Sequence, residues 1–174
     1  YKVHKAGARF SKEKAEWFNQ QYLQKKSNEE LLDLFKQLPE VASSTLSDEQ
    51  LLTIVSLMKE RATFVKDMYI GGEFFFKAPT SYEEKAAKKA WGETTSEVIS
   101  GLAKTLENVE FNAENLKNTI HDYAEAKSLG MGKVMMPLRL TLVGELKGPD
   151  VPDIMQLIGK EETISRMKNA LEKL

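Results

Sequence analysis

The stretch GKVMMPLRLTLVGELKGPDVPDIMQLIGKEETISRM, Gly132 to Met167, decides the fold. It crowds Met136-Pro137, Gly144, Gly148-Pro149, Val151-Pro152 and Gly159 into a run that still has apolar side chains to bury. Glycine and proline are the strongest local punctuators of a chain, and a plain helical module would not need so many. Leu138, Leu140 and Leu142 alternate as a strand would. They also suit a helix that carries Pro137 in its first turn, where a missing N–H costs nothing. Helix is the expectation, because no long alternating run elsewhere offers a partner strand.

Outward from this stretch, helix-start signals recur. Ser11 can cap a helix running to about Leu23, with Phe10 and Ala15 as a weak hydrophobic staple. Ser27-Asn28-Glu29-Glu30 and Ser47-Asp48-Glu49-Gln50 are capping boxes. The first precedes Leu31, Leu34, Phe35 and Leu38 and is stopped by Pro39; the second opens a face of Leu51, Ile54, Val55, Met58 and Ala62. Ser81-Tyr82-Glu83-Glu84 reads as a third box, leading to Trp91 with Gly92 as the stop. Further helices are expected at about 95–107, 113–129 and 161–171. Gly71-Gly72, Phe74-Phe75-Phe76 and Pro79 mark an internal joint, the three Phe read as packing rather than as a stacking platform. The expected architecture is all-α in two helical lobes, residues 1–77 and 78–174.

The 174 residues are 41% hydrophobic, enough for a real core. Cysteine is absent, which excludes disulfides, zinc ribbons and thiol catalysis and fits a reducing cytoplasm. No apolar run approaches the ~20 residues of a membrane span, and YKVHKAGARF has no signal-peptide pattern. Beginning without Met, the chain reads as a piece of a longer protein. Its net charge of -1, from 25 basic and 26 acidic residues, argues against a general nucleic-acid or DNA binder. Two local basic stretches stand out: Lys2, Lys5, Arg9, Lys12 and Lys14 at the start, and Lys127, Lys133, Arg139 and Lys147 later. Alone they read as ordinary mixed surface, though they would suit a binder selective for one RNA.

No catalytic constellation is visible. His4 and His121 lie far apart without a second ligand at metal-binding spacing, so no metal site is expected. Gly130-Met131-Gly132-Lys133 lacks the spacing of a phosphate loop, and Val134 stands where a Ser or Thr would bind magnesium. The pairs Glu29-Glu30, Glu83-Glu84 and Glu161-Glu162 suit helix dipoles and caps rather than acid–base work. Met131, Met135 and Met136 suit core filling more often than an adaptable contact. Arg9, Arg61, Arg139 and Arg166 are the few groups able to address a base edge or phosphate bidentately.

Several stretches resemble the C-terminal anticodon-binding region of bacterial-type glutamyl-tRNA synthetases, in the same order. These are HKAGARFSKEKAEWFNQQYL (4–23), LLTIVSLMKERATFVKDM (51–68), VMMPLRLTLVG (134–144), GPDVPDIMQLIGKEET (148–163) and the terminal helix. HKAGARF and WFNQQYL look like the wording of Bacteroidota members. The resemblance covers essentially the whole chain and is least distinctive between Ala86 and Gly130. It implies the anticodon-binding α-bundle of a class I synthetase, and glutamate tRNA and the catalytic domain of the same chain as partners. The family's HIGH-type and KMSKS-type motifs are absent from the chain. The resemblance therefore implies that ATP and Mg2+ bind elsewhere in the parent enzyme, with no cofactor in this region and no catalytic residue. The alternative from another class is a helical protein–protein interaction module, which the neutral charge permits; an independent all-α enzyme finds almost no support.

By the same resemblance, Arg61 reads the third anticodon base. On the residues alone Arg61 would be a solvated helix residue. The chemistry fits: glutamate anticodons end in cytosine, whose N3 and O2 accept, whereas guanine presents N1–H and N2–H donors. Arginine only donates, so it matches the first and opposes the second. In the second lobe Arg139 and Pro149 match the family, and Gly148 and Val151 fall on a loop that frames a splayed base. Met136 and Gly148 depart from the pattern, replacing a glutamine and a threonine. Their side-chain hydrogen bonds are thereby lost, while Met136 keeps the ability to pack on a base face.

Overall fold

The computed structural model describes residues 11–174. The basic residues Lys2, Lys5 and Arg9, His4 and the Phe10 staple lie outside the described residues. Among the described residues there are eleven α-helices and no strand. Two compact units divide at Gly72–Glu73.

The first unit holds α1 (Lys12–Lys25), α2 (Asn28–Phe35), α3 (Pro39–Ala42), α4 (Asp48–Met58) and α5 (Val65–Gly71). Ser11 caps α1 through a long contact of 3.4 Å to the Lys14 N–H. Both capping boxes form. Ser27 Oγ accepts from Glu30 N at 3.1 Å while Glu30 accepts from Ser27 N at 2.8 Å. Ser47 and Gln50 repeat the exchange at 3.2 and 3.0 Å. Each satisfies two N–H groups that a helix start leaves orphaned. The core is the apolar face of α2 against α4 and α5: Leu31, Phe35, Ile54, Val55, Met58 and Met68 are buried. Pro39 does more than stop α2, since it occupies the first turn of α3, where its fixed φ suits a helix start.

The second unit holds α6 (Glu84–Ala90), α7 (Thr95–Leu106), α8 (Ala113–Ala126), α9 (Met131–Val143), α10 (Val151–Ile158) and α11 (Lys160–Lys173), preceded by a 3₁₀ turn at Glu73–Phe75. The 138–142 run is helical, as expected, but Pro137 sits in the interior of α9 rather than in its first turn. Packing overrides propensity here: α9 touches α6, α7, α8, α10 and α11. Val134, Leu138, Leu140 and Leu142 are all 0% exposed, so α9 is buried on several sides and its leucines follow no single stripe. Burying each such leucine contributes roughly 1.5–3 kcal/mol, which offsets the carbonyl that Pro137 leaves without its helical donor.

α9 ends at Gly144, whose φ of +86° is left-handed. A Cβ there would stand 2.9 Å from both Pro79 Cβ and the Ser81 carbonyl, so only glycine fits. The Gly144 carbonyl accepts from Glu83 N at 2.8 Å. The expected Ser81 box does not form: Glu83, not Ser81, is the N-cap of α6, and no side chain caps it. The other end of α6 also differs, with Trp91 already extended before Gly92. Phe74 and Phe75 pack in the second unit at 7% and 4% exposure.

Candidate nucleic-acid interface

In the first unit the element carrying Arg61 is a turn between two helices, not the single helix that 51–68 suggests. α4 stops at Met58 and a 3₁₀ turn, Lys59–Arg61, follows. α1 holds this turn from outside. Gln24 Nε2 donates to the Lys59 carbonyl at 3.0 Å, Asn19 Nδ2 donates to the Thr63 carbonyl, and Lys59 Nζ donates to the Lys26 carbonyl at 2.6 Å. Beyond it Asp67 accepts from Thr63 N at 3.1 Å and Phe64 N at 2.8 Å, which starts α5. Arg61 itself is exposed, and Nη1 makes a weak 3.3 Å bond to the Leu57 carbonyl. The result is an exposed cation on a fixed base, with donors available for an acceptor edge.

In the second unit Met136 and Arg139 stand one turn apart on α9, both half-buried. Arg139 Nη1 donates to the Pro149 carbonyl at 2.6 Å and, at a long 3.4 Å, to that of Lys147. It thereby ties the 147–149 loop to the helix. Gly148, at φ +117°, lies between them: a Cβ there would meet the Phe74 ring at 3.4 Å and Arg139 Nη1 at 3.5 Å. Pro149 is buried. Val151, the first residue of α10, is 0% exposed and packs in the core, so this position addresses the surface through its backbone alone. Next to the loop, burial and then the neighbouring Asp150 raise the Asp153 carboxyl above its ordinary value.

Arg166 has a different place. It is 3% exposed, with Nε 2.7 Å from Glu162 and Nη1 donating to the carbonyls of Phe74 at 2.7 Å and Leu142 at 2.8 Å. It is an internal brace joining α11, α9 and the 73–75 turn. Thr163, Arg166, Met167 and Ala170 share the buried face of α11, and that spacing was the signal in the sequence that set Arg166 apart from the other arginines. The methionines are less buried than core filling implies: Met131 is 40% exposed and Met135 and Met136 are half-buried. His121, Asp122 and Glu125 bring ligand-type atoms within 4.8 Å of one another on the outside of α8, all three exposed. Such a cluster is common on solvated helices and carries no site by itself.

A further surface feature escaped the helix pattern. α1 exposes Trp17, Phe18 and Tyr22 at 56%, 63% and 61%, and Phe64 and Ile70 of the same unit are exposed at 48% and 61%. The Trp17 and Phe18 rings meet edge to face with centroids 5.0 Å apart, and Lys26 Nζ lies 4.8 Å from the Tyr22 ring centroid. No helix among the described residues is long and apolar enough to cross a membrane.

Each all-helical unit thus presents an arginine: exposed Arg61 on a braced turn, and half-buried Arg139 on α9 beside the loop it ties down. The chain belongs to the anticodon binding domain family, whose profile matches residues 13–171. It is similar to the glutamate–tRNA ligase of Christiangramia forsetii, 44% identical over 174 residues, and to that of Flavobacterium johnsoniae, 45% identical over 174 residues. In both cases the match takes in 99% of this chain and 34% of the relative. Among solved structures, a glutamate tRNA ligase from Elizabethkingia meningosepticum, in complex with its amino acid, superposes with a TM-score of 0.92 at 62% identity. That match covers 99% of this chain and 34% of the other. The chain thus spans about a third of the length of these relatives.

Proposed function

We propose that this chain is the anticodon-reading region of a glutamate–tRNA ligase, working in the cytoplasm on glutamate tRNA. The observation that carries the reading is the family match across residues 13–171, joined to relatives that carry this activity and exceed the chain threefold in length. It favours tRNA recognition over a protein–protein interaction module. In this reading, activation of glutamate, with its ATP and Mg2+, belongs to the remainder of the parent enzyme, and that remainder covers the apolar face of α1.

Lobes 1–77 and 78–174 take different parts of the anticodon loop. Arg61 donates to the N3 and O2 acceptors of a third-position cytosine and opposes guanine, whose facing groups are donors. Arg139, Met136, Gly148, Pro149 and the backbone at Val151 frame a second, splayed base. The exposure of Arg61 and the tether from Arg139 to the 147–149 loop support this division. Titration with glutamate tRNA tests the function: affinity should fall steeply as salt rises and exceed that for a tRNA of unrelated anticodon. A flat salt response with no tRNA preference counts against it.

A further inference from the structure

The second unit contains a groove of about 740 Å³ that, of the residues assigned above, only Met136 lines. The buried and half-buried part of its lining is apolar at Ala90, Trp91, Val98, Leu129 and Met136, and its one polar member, Thr95, accepts from Gly92 N. The exposed part is basic, with Lys88, Lys89 and Lys133 against Glu93 alone. This excess is local, since from Glu73 onward the chain carries 14 Lys and Arg against 16 Asp and Glu. Lys88 is engaged by Glu84 at 2.6 Å, whereas Lys89 and Lys133 form no ion pair among the described residues. α9 begins in this groove with no side-chain cap and no acidic residue in its first turn, so nothing offsets the positive end of its dipole. At Gly130 and Gly132 a Cβ would meet nothing within 4 Å, which leaves the approach open.

An aromatic face inside and ammonium groups outside match an unpaired nucleotide: the base stacks and the flanking phosphates meet the lysines. The volume suits one such group. A paired stem would not enter, because its bases present no free faces. We propose that this groove takes one unpaired nucleotide of the anticodon stem-loop, its base stacked on Trp91 and its phosphates held by Lys89 and Lys133. The inference rests on the tRNA reading above. The subsite is separate from the Arg139 head, which turns to the 147–149 carbonyls; Met136, one turn before Arg139, is the residue the two share.

The chain has two tryptophans, so a Trp17→Phe background, excited on the red edge where tyrosine does not absorb, leaves Trp91 as the sole emitter. Titration with an unlabelled anticodon stem-loop of glutamate tRNA should quench Trp91 emission along the same isotherm as binding. Trp91→Ala should weaken binding roughly tenfold, with Trp91→Phe retaining most of the affinity. Lys89→Gln with Lys133→Gln should make the salt slope shallower by about one to two. Circular-dichroism melting shows whether each variant folds, and the quenching assay needs no change at Trp91. Saturating binding with unaltered Trp91 emission overturns the subsite and leaves the tRNA reading standing. Failure of the Trp17→Phe and unmutated chains to bind any stem-loop overturns both.

Discussion

Arg139 Nη1 lies 2.6 Å from the Pro149 carbonyl oxygen and donates to it. The side chain proposed above to frame a splayed base is therefore also a structural tie between α9 and the 147–149 loop. Arg139→Ala should lower stability by about 1.5–3 kcal/mol, the range for a charge-assisted hydrogen bond, and weaken stem-loop binding as well. Denaturant melts combined with binding isotherms check this. Arg139→Lys keeps the charge but not the planar fork and should recover only part of either quantity.

Gly148 is where that loop needs a left-handed backbone, with φ at +117°. A methyl there would meet the Phe74 ring and the Arg139 head only at ordinary contact distance, so Gly148→Ala acts by straining the backbone and leaves the tie in place. A cost of about 1–3 kcal/mol is expected, read as a lowered thermal midpoint.

Arg166 contrasts with both. Arg166→Ala should destabilise by about 2–4 kcal/mol, mainly because the Phe74 and Leu142 carbonyls lose their buried donor, while the partly exposed Glu162 stays solvated. Whatever folded protein remains at low temperature should bind the stem-loop with nearly unchanged affinity per folded molecule. Calorimetry and binding at one low temperature separate the two effects.

The Ser27–Glu30 box gives a pH signature. The hydrogen bond from Ser27 N, and then the nearby Lys26, hold the Glu30 carboxyl below its ordinary 4.5. A depressed acid stabilises the fold when ionised. Its contribution is complete above that ordinary value and disappears as pH falls through the lower folded value. The stability gap between the wild-type chain and Glu30→Gln should thus be constant near neutrality and close in that acidic window. Chemical melts across the pH series read this directly.

Much of the helix pattern was legible because its causes are local. Ser27 and Ser47 are read with their partners three residues on, and those pairs bond as expected. Ser81 carries the same pattern, yet α6 is capped two residues later, at Glu83, whose N–H meets the carbonyl of Gly144 more than sixty residues away, a contact no local pattern reports. Pro137 was misplaced for a related reason: five neighbouring helices hold α9 together across it, and no local rule reports them. At the candidate site, the residue types and the loop were readable, but Val151's burial and Arg139's tie to Pro149 were not. Both depend on which way a side chain turns once the unit closes. The Trp91 groove draws on α6, α7 and α9, so no single segment announced it.

Arg61 is exposed, and its side chain has little structural work beyond a 3.3 Å bond to the Leu57 carbonyl. Arg61→Ala should change stability by no more than about 0.5 kcal/mol. The deciding measurement is binding of glutamate tRNA and of its variant with guanine at the third anticodon position, by the wild-type chain and by Arg61→Ala. The expected result is a wild-type preference for cytosine of about 1–3 kcal/mol that collapses in the variant. An unchanged preference in Arg61→Ala, with both proteins folded, would contradict the role given to Arg61.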